Sequence, residues 1–488
     1  VRAVIGRLRA ATLRTSTLDP ARWARALDAF ADLGFDAVDL CAVWREHELG
    51  PGRFDFHAPR RDLAAAVRAA HAVGLRVVLR LGPMATPEAP GLGLPERILR
   101  DPSLAARTRR NNPLVVPDGL RLVPLPSLAA RGFRHESRQW IAAALGGLGD
   151  ALALVDRVVV GEALPLRLRD APGDGDHHPD AGSAADADAF AAAETARVVD
   201  YLRELAAAAV TAGVPSDRVD FAWSGPVLAS AAAATLGAER PLVFAAPPPR
   251  AGVETLWREF RAAAALGHGA VVTLRAGTAP VEPPVPSSHA RAVARIALAA
   301  GLDALSVQMG CAGEGWVGAL LDEEAHPRPH AARWRELLHG ADALPPGEEL
   351  VVTERVARDV LEARRARAAS NPLPIGLLSR LGISAAELDP TPASDRRPPR
   401  ADVVALLDAT DLPLGPGFVE VSEADAPRLG VEPPATVHAR CIRDAVGATH
   451  WVVLHDHPDP LTLTAPRGAV VRAEAGTPVT LHAAEVAP

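Results

Sequence analysis

The chain has 488 residues and a mass of about 51 kDa; 48% of the residues are hydrophobic, 23% are charged, and the formal charge is −7. That supplies core enough for one large barrel with additions or for two to four domains, and no uncharged apolar run nears the roughly 18 residues a membrane span needs. Lysine is absent and the three cysteines (Cys41, Cys311, Cys441) lie far apart, which excludes Schiff-base and P-loop lysine chemistry, a disulfide scaffold and a Cys/His zinc site.

From the N-terminus, Val1–Leu13 is interrupted by Arg2, Arg7 and Arg9. It has no continuous apolar stretch of the kind a secretory signal carries, so a cytoplasmic protein is expected. Strands are predicted at Val4–Leu8, Ala37–Trp44, Arg76–Leu81, Arg157–Val160, Arg218–Trp223, Leu242–Ala246, Ala270–Leu274 and Ala304–Gln308. Helical segments lie between them at Ala21–Leu33, Leu63–Val73, Ser137–Leu148, Ala184–Ala212, Val253–Leu266 and Ser288–Ala300. Several of these helices stop on a glycine just before the next strand, as in LGF and VGL, the usual left-handed cap. Strands this apolar, each reached through a helix, belong to a parallel sheet buried on both faces. Eight such units predict an α/β fold, a (β/α)8 TIM barrel over residues 1–344. A doubly wound sheet would want a Gly-rich phosphate turn after its first strand, and GRLRAAT is not one. Residues 345–436 read as a linker and small α/β segment rich in proline and arginine. Residues 437–488, with short β-runs such as HWVVLHDH and LTLTAP, read as a C-terminal antiparallel β-module.

In such a barrel, chemistry gathers where the strands end. Those ends carry WREHELGPGRFDF after strand 2, RLGPMATPEAPGLGLP after strand 3, VVVGEALP after strand 4, AWSGP after strand 5 and VQMGCAGEGW after strand 8. Trp44, Trp223 and Trp316 fall among them. They are either indole platforms for the apolar faces of sugar rings or bulky plugs over the barrel core, and composition alone leaves both readings open. The loop DAPGDGDHHPDAG (170–182) gathers Asp and His, but its spacing matches no defined metal site, and a solvated loop over the mouth is expected. No metal or other cofactor is expected, and scattered arginines on an acidic chain argue against a nucleic-acid partner.

The segment from Trp44 to Phe56 resembles the W-N-x-H-E-P-x-P-G-x-F-D-F signature of family-35 glycoside hydrolases, the β-galactosidases. Trp44, His47, Glu48, Pro51, Gly52, Phe54, Asp55 and Phe56 match it, while Arg45 stands for its asparagine and Leu49 for its first proline. RLGPMATPEAPGLGLPERIL runs without a gap against that family's R-P-G-P-Y-I-C-A-E-W-x-x-G-G-L-P-x-W-L-L, keeping Arg80, Gly82, Pro83, Glu88, Gly93, Leu94, Pro95 and Leu99. The strand-8 region also resembles the related family-42 pattern, echoed by Gln308, Glu314 and Ala319.

The resemblance implies a carbohydrate ligand, galactoside-like or related. It makes Glu162 the acid/base candidate and Glu88 a sugar contact, with Trp44, Glu48, Trp223, Gln308 and Trp316 around them. It also exposes departures. Gly161 stands for the asparagine before the acid, Cys41 for a tyrosine ending strand 2, and Leu274–Arg275 for the nucleophilic glutamate ending strand 7. Retaining hydrolysis needs two carboxyl groups about 5–5.5 Å apart. The expectation is therefore a divergent or inactive member, or else an active glycosidase with a relocated second carboxylate. Glu314 is the first candidate for that second group, and Glu282 the next.

Overall fold

The computed structural model describes residues 7–84, 89–107, 112–118, 121–161 and 184–223. It also describes 236–245 without 238, and 260–340 without 261, 262, 265–267, 279–289, 292, 295, 296, 299–301, 303, 314, 315 and 317; beyond these it gives the backbone of six strands between 418 and 482. Eight strands close a parallel barrel: β1 (Leu8–Leu13), β2 (Ala37–Cys41), β3 (Arg76–Gly82), β4 (Arg157–Val160), β5 (Val219–Trp223), β6 (Leu242–Ala245), β7 (Ala270–Arg275) and β8 (Ala304–Gln308). Each pairs with its neighbours in chain order, and β8 returns to β1 with Leu8 opposite Ala304. The fold is the (β/α)8 barrel read from the sequence.

The two-residue side-chain period divides each strand between two cores. Leu8, Ala10, Ala37, Val78, Val159, Ala222, Val243, Val271 and Ala304 form one buried cluster, filling the lower lumen at the strand starts. Alternate residues such as Ala11, Leu13, Val38, Leu40, Val77, Leu79, Phe221, Phe244, Val272 and Leu274 belong to the larger core shared with the helices. Those helices include α1 (Trp23–Asp32), α2 (Leu63–Val73), α3 (Arg131–Gly146), α4 (Ala184–Thr211) and α5 (Ala332–Gly340). α2 starts where Asp62 accepts a hydrogen bond from the Ala65 amide and stops at Gly74, φ +86°, the side-chain cap and glycine stop its sequence announces.

The first barrel strand is Leu8–Leu13 rather than Val4–Leu8. Arg9 breaks the apolar pattern there, yet it is buried, and its guanidinium donates to the Leu338 carbonyl of α5. An arginine that caps a helix carbonyl is tolerated inside a strand, and it moves the strand four residues on from its expected start. Above the apolar layer the lumen is polar. Arg80 Nε donates to Asp39 Oδ1 at 3.1 Å and Arg80 Nη2 to Thr12 Oγ1 at 3.2 Å, while Ser306 Oγ donates to Asp39 Oδ2 at 2.7 Å. A void of about 10 Å³ lies between the layers, lined by Asp39, Arg80, Asp220, Ser306 and apolar strand residues. It is below the mouth and too small for a ligand.

Past the barrel, Val437–Arg443, Thr449–His455 and Val479–His482 form an antiparallel sheet that also takes in Phe418–Glu420. Leu461–Thr464 and Val470–Ala473 form a second antiparallel pair. Among the described residues no helix is long and apolar enough to cross a membrane.

Candidate functional site

The strand ends define the mouth. By alternation from the lumen residues below them, Cys41 of β2, Gly82 of β3, Gly161 after β4, Ala245 of β6, Arg275 of β7 and Gln308 of β8 lie on the inner side. Leu274 belongs to the outer core and is 1% exposed; Arg275 is half-buried, and paired in register with Gln308. Gln308 is itself buried. Among the described residues no carboxylate ends β6 or β7.

At Gly161 the backbone has φ +73°, and a Cβ there would lie 2.1 Å from Leu202 Cδ2 of α4 and 3.2 Å from the Ala222 carbonyl. A side chain there would lie in the left-handed region and would need Leu202 to move, so glycine is favoured where the family pattern has asparagine. Glu162, which follows, lies outside the described residues, as do Glu88, Glu314 and Glu282 and the Asp/His loop 170–182.

The loop after β2 shows what its matching residues do. A single helical turn, Trp44–His47, leads into a two-stranded ribbon, Glu48–Gly50 with Arg53–Phe54. Trp44 is fully buried and stacks on Trp140 of α3, with centroids 6.1 Å apart and planes 3° from parallel. Trp140 also meets His47, Phe54 and Phe56 at 5.7–6.0 Å and donates from Nε1 to the Leu81 carbonyl at 2.6 Å. Of the two readings of Trp44, its burial supports the plug. His47 is held inside the cluster with Nδ1 3.0 Å from the Asp55 carbonyl oxygen, and burial lowers its pKa below the ordinary histidine value. Asp55 turns the chain by accepting from the His57 and Ala58 amides, which, with Arg61, hold its carboxyl below the usual range.

Glu48 is committed to other protein groups. Its side chain is 5% exposed; it accepts from Trp44 Nε1 at 3.4 Å, from Arg97 Nε at 3.1 Å and from Arg97 Nη2 at 2.6 Å. Arg97 also reaches Glu136 of α3 through Nη1 at 2.9 Å and Nη2 at 2.6 Å. Glu136 first, then Glu48, holds that guanidinium more firmly charged than a free arginine, against the cost of its burial. Trp316 is 7% exposed in the β8 loop, which packs Gly313 on Thr17 and Gly318 on the Ala276 carbonyl. Of Trp223 only the backbone, at the end of β5, is described. Sequence reasoning missed Trp140, Arg97 and Glu136; the only signal was that the β2 signature is aromatic and must pack on something.

Among the described residues no three His, Cys, Asp or Glu side chains gather as a metal site. Cys41 and Cys311 are buried, and burial raises the pKa of Cys311.

Residues 6–114 match the model of glycosyl hydrolases family 35. Over 89 residues the chain is 38% identical to the beta-galactosidase-1-like protein of Mus musculus, covering 18% of this chain and 14% of that protein. Over 95 residues it is 34% identical to the beta-galactosidase of Mus musculus, covering 20% of this chain and again 14% of the relative. The matched stretch is thus a small part of each relative's length. Among solved structures, a beta-galactosidase from the psychrophilic Marinomonas ef1 superposes with a TM-score of 0.53 at 14% identity, covering 70% of this chain and 62% of that one. At that identity the likeness shows a common fold.

Proposed function

We propose, from the family-35 glycosyl hydrolase relationship carried by residues 6–114, that this chain recognises a galactoside-like carbohydrate in its barrel mouth without hydrolysing it. In this reading Glu162 is the surviving acid/base residue and Glu88 contacts the sugar, with Gln308 and Trp223 beside them and Trp316 in the wall. Trp44 and Glu48 serve by shaping the loop that bounds the site. The observation that carries it is the end of β7, where Leu274 faces the outer core and Arg275 the lumen. Neither can attack an anomeric carbon, and a cation there opposes the positive charge that develops at that carbon. Gly161, where the family pattern has asparagine before the acid, supports the same reading.

A second reading keeps hydrolysis, with Glu162 as acid and Glu314 as a relocated carboxylate. A pair about 6.5–9.5 Å apart would suit inversion. Calorimetric titration with methyl β-galactoside, alongside 4-nitrophenyl β-galactoside turnover, separates the two. Binding without turnover is expected. Turnover that is lost in both E162Q and E314Q would establish the second reading instead.

A further inference from the structure

Two departures from the family pattern meet across the same pair of loops. Arg45, where the pattern has asparagine, donates from Nη1 to the Pro90 carbonyl at 2.8 Å. Arg97, where the pattern has tryptophan, lies on the short helix Glu96–Arg100 and joins Glu48 of the β2 ribbon to Glu136 of α3. The segment between these two points is seated closely. Ala89 packs in a small buried cluster with Cys41 and Val43. Gly91 has φ +63°, and a Cβ there would meet Arg45 Nη1 at 3.1 Å. The turn is closed by the Gly93 amide on the Pro90 carbonyl and the Leu94 amide on the Gly91 carbonyl.

We propose that Arg45 and Arg97 form a polar latch that positions segment 89–97 against the β2 loop, making both of them positioning residues for the ligand site on that side of the mouth. An arginine suits the work because its planar fork engages two carboxylates in a fixed orientation. Glu48, its side chain almost wholly enclosed, has no equivalent cation among its described contacts, so Arg97 fixes its place. Cys41, where the family has a tyrosine, and Ala89 pack together with Val43 under the segment. The latch acts by preorganising this wall, not by adding ligand contacts.

The inference rests on the proposed carbohydrate site, but its test has an arm that does not. Hydrogen exchange is followed in peptides spanning 89–100 in the wild type, R97M, R97K and R45A, each at a temperature where circular dichroism shows it folded. Loss of hydrogen bonds to charged groups predicts exchange faster by about tenfold to a hundredfold in R97M. A smaller rise is expected in R45A, which loses one exposed hydrogen bond, and partial rescue in R97K, whose ammonium can serve one carboxylate. Unchanged exchange in R97M would overturn the latch. In the second arm, methyl β-galactoside should bind about tenfold more weakly to R97M than to the wild type, with R97K between them. Faster exchange with unaltered affinity would overturn the positioning role. If the wild type binds no methyl β-galactoside, the carbohydrate reading fails while the exchange arm still decides the latch.

Discussion

Gly161 closes β4 immediately before Glu162 in the sequence, the residue proposed as the acid/base group. With φ at +73° and Leu202 filling the space a Cβ would take, Gly161→Ala combines left-handed strain with overpacking. It should cost at least about 2 kcal/mol in urea unfolding; a midpoint unchanged from the wild type would show that α4 gives way freely. His47 makes a second prediction. Its folded-state pKa is depressed, with burial the largest cause, so the unfolded chain takes up a proton first as the pH falls. The stability it confers is fully present above the unfolded pKa of about 6.5 and is lost as the pH drops through that value towards the folded one. His330, also lowered by burial, acts with the same sign. Unfolding free energies at pH 7.5 and pH 5 should therefore differ less in H47N than in the wild type, and an equal difference would remove His47 from the account.

Between elements, the polar lumen makes the sharpest demand. Asp39 and Arg80, exposed by 3% and 1%, are paired on adjacent strands, with Thr12 and Ser306 completing the network. Replacing one partner leaves the other's charge enclosed, so Asp39→Asn should cost about 3–5 kcal/mol in chemical denaturation. A double change to well-packed apolar residues should cost much less, and equal costs for the two variants would show that the charge is not what matters.

This is also the scale at which the sequence becomes hard to read. Strands β2 to β8 stand close to their expected places because apolar runs and helix-ending glycines are local signals. β1 was displaced because a buried arginine in a strand looks polar until the helix carbonyl it caps is known. The aromatic signature Trp44–Phe56 is visible as a motif, but its packing partner Trp140 is 96 residues beyond Trp44, and nothing local announces it. The Glu48–Arg97–Glu136 ion-pair network is hidden for the same reason, since its members come from three separate elements.

For the whole molecule, a barrel that closes in strict chain order explains why fold and family likeness coexist with an altered mouth. The closed sheet depends on layer packing below the strand ends, and the ends themselves can change residue by residue without disturbing it. The family pattern was legible where it is spelled in consecutive residues, at strands 2 and 3, inside the stretch that matches the family model. At β7 the strand ends on Leu274–Arg275 as expected, and the proposed loss of the nucleophile rests on that.

That vacancy in the chemistry is the central claim, and covalent trapping tests it directly. A retaining enzyme given a 2-deoxy-2-fluoro β-galactoside accumulates its glycosyl ester because the second step is slowed. Intact-mass measurement after such treatment should return only unmodified chain. A mass increase of one fluorogalactosyl unit would contradict the account, and the labelled peptide would name the nucleophile that the end of β7 does not supply.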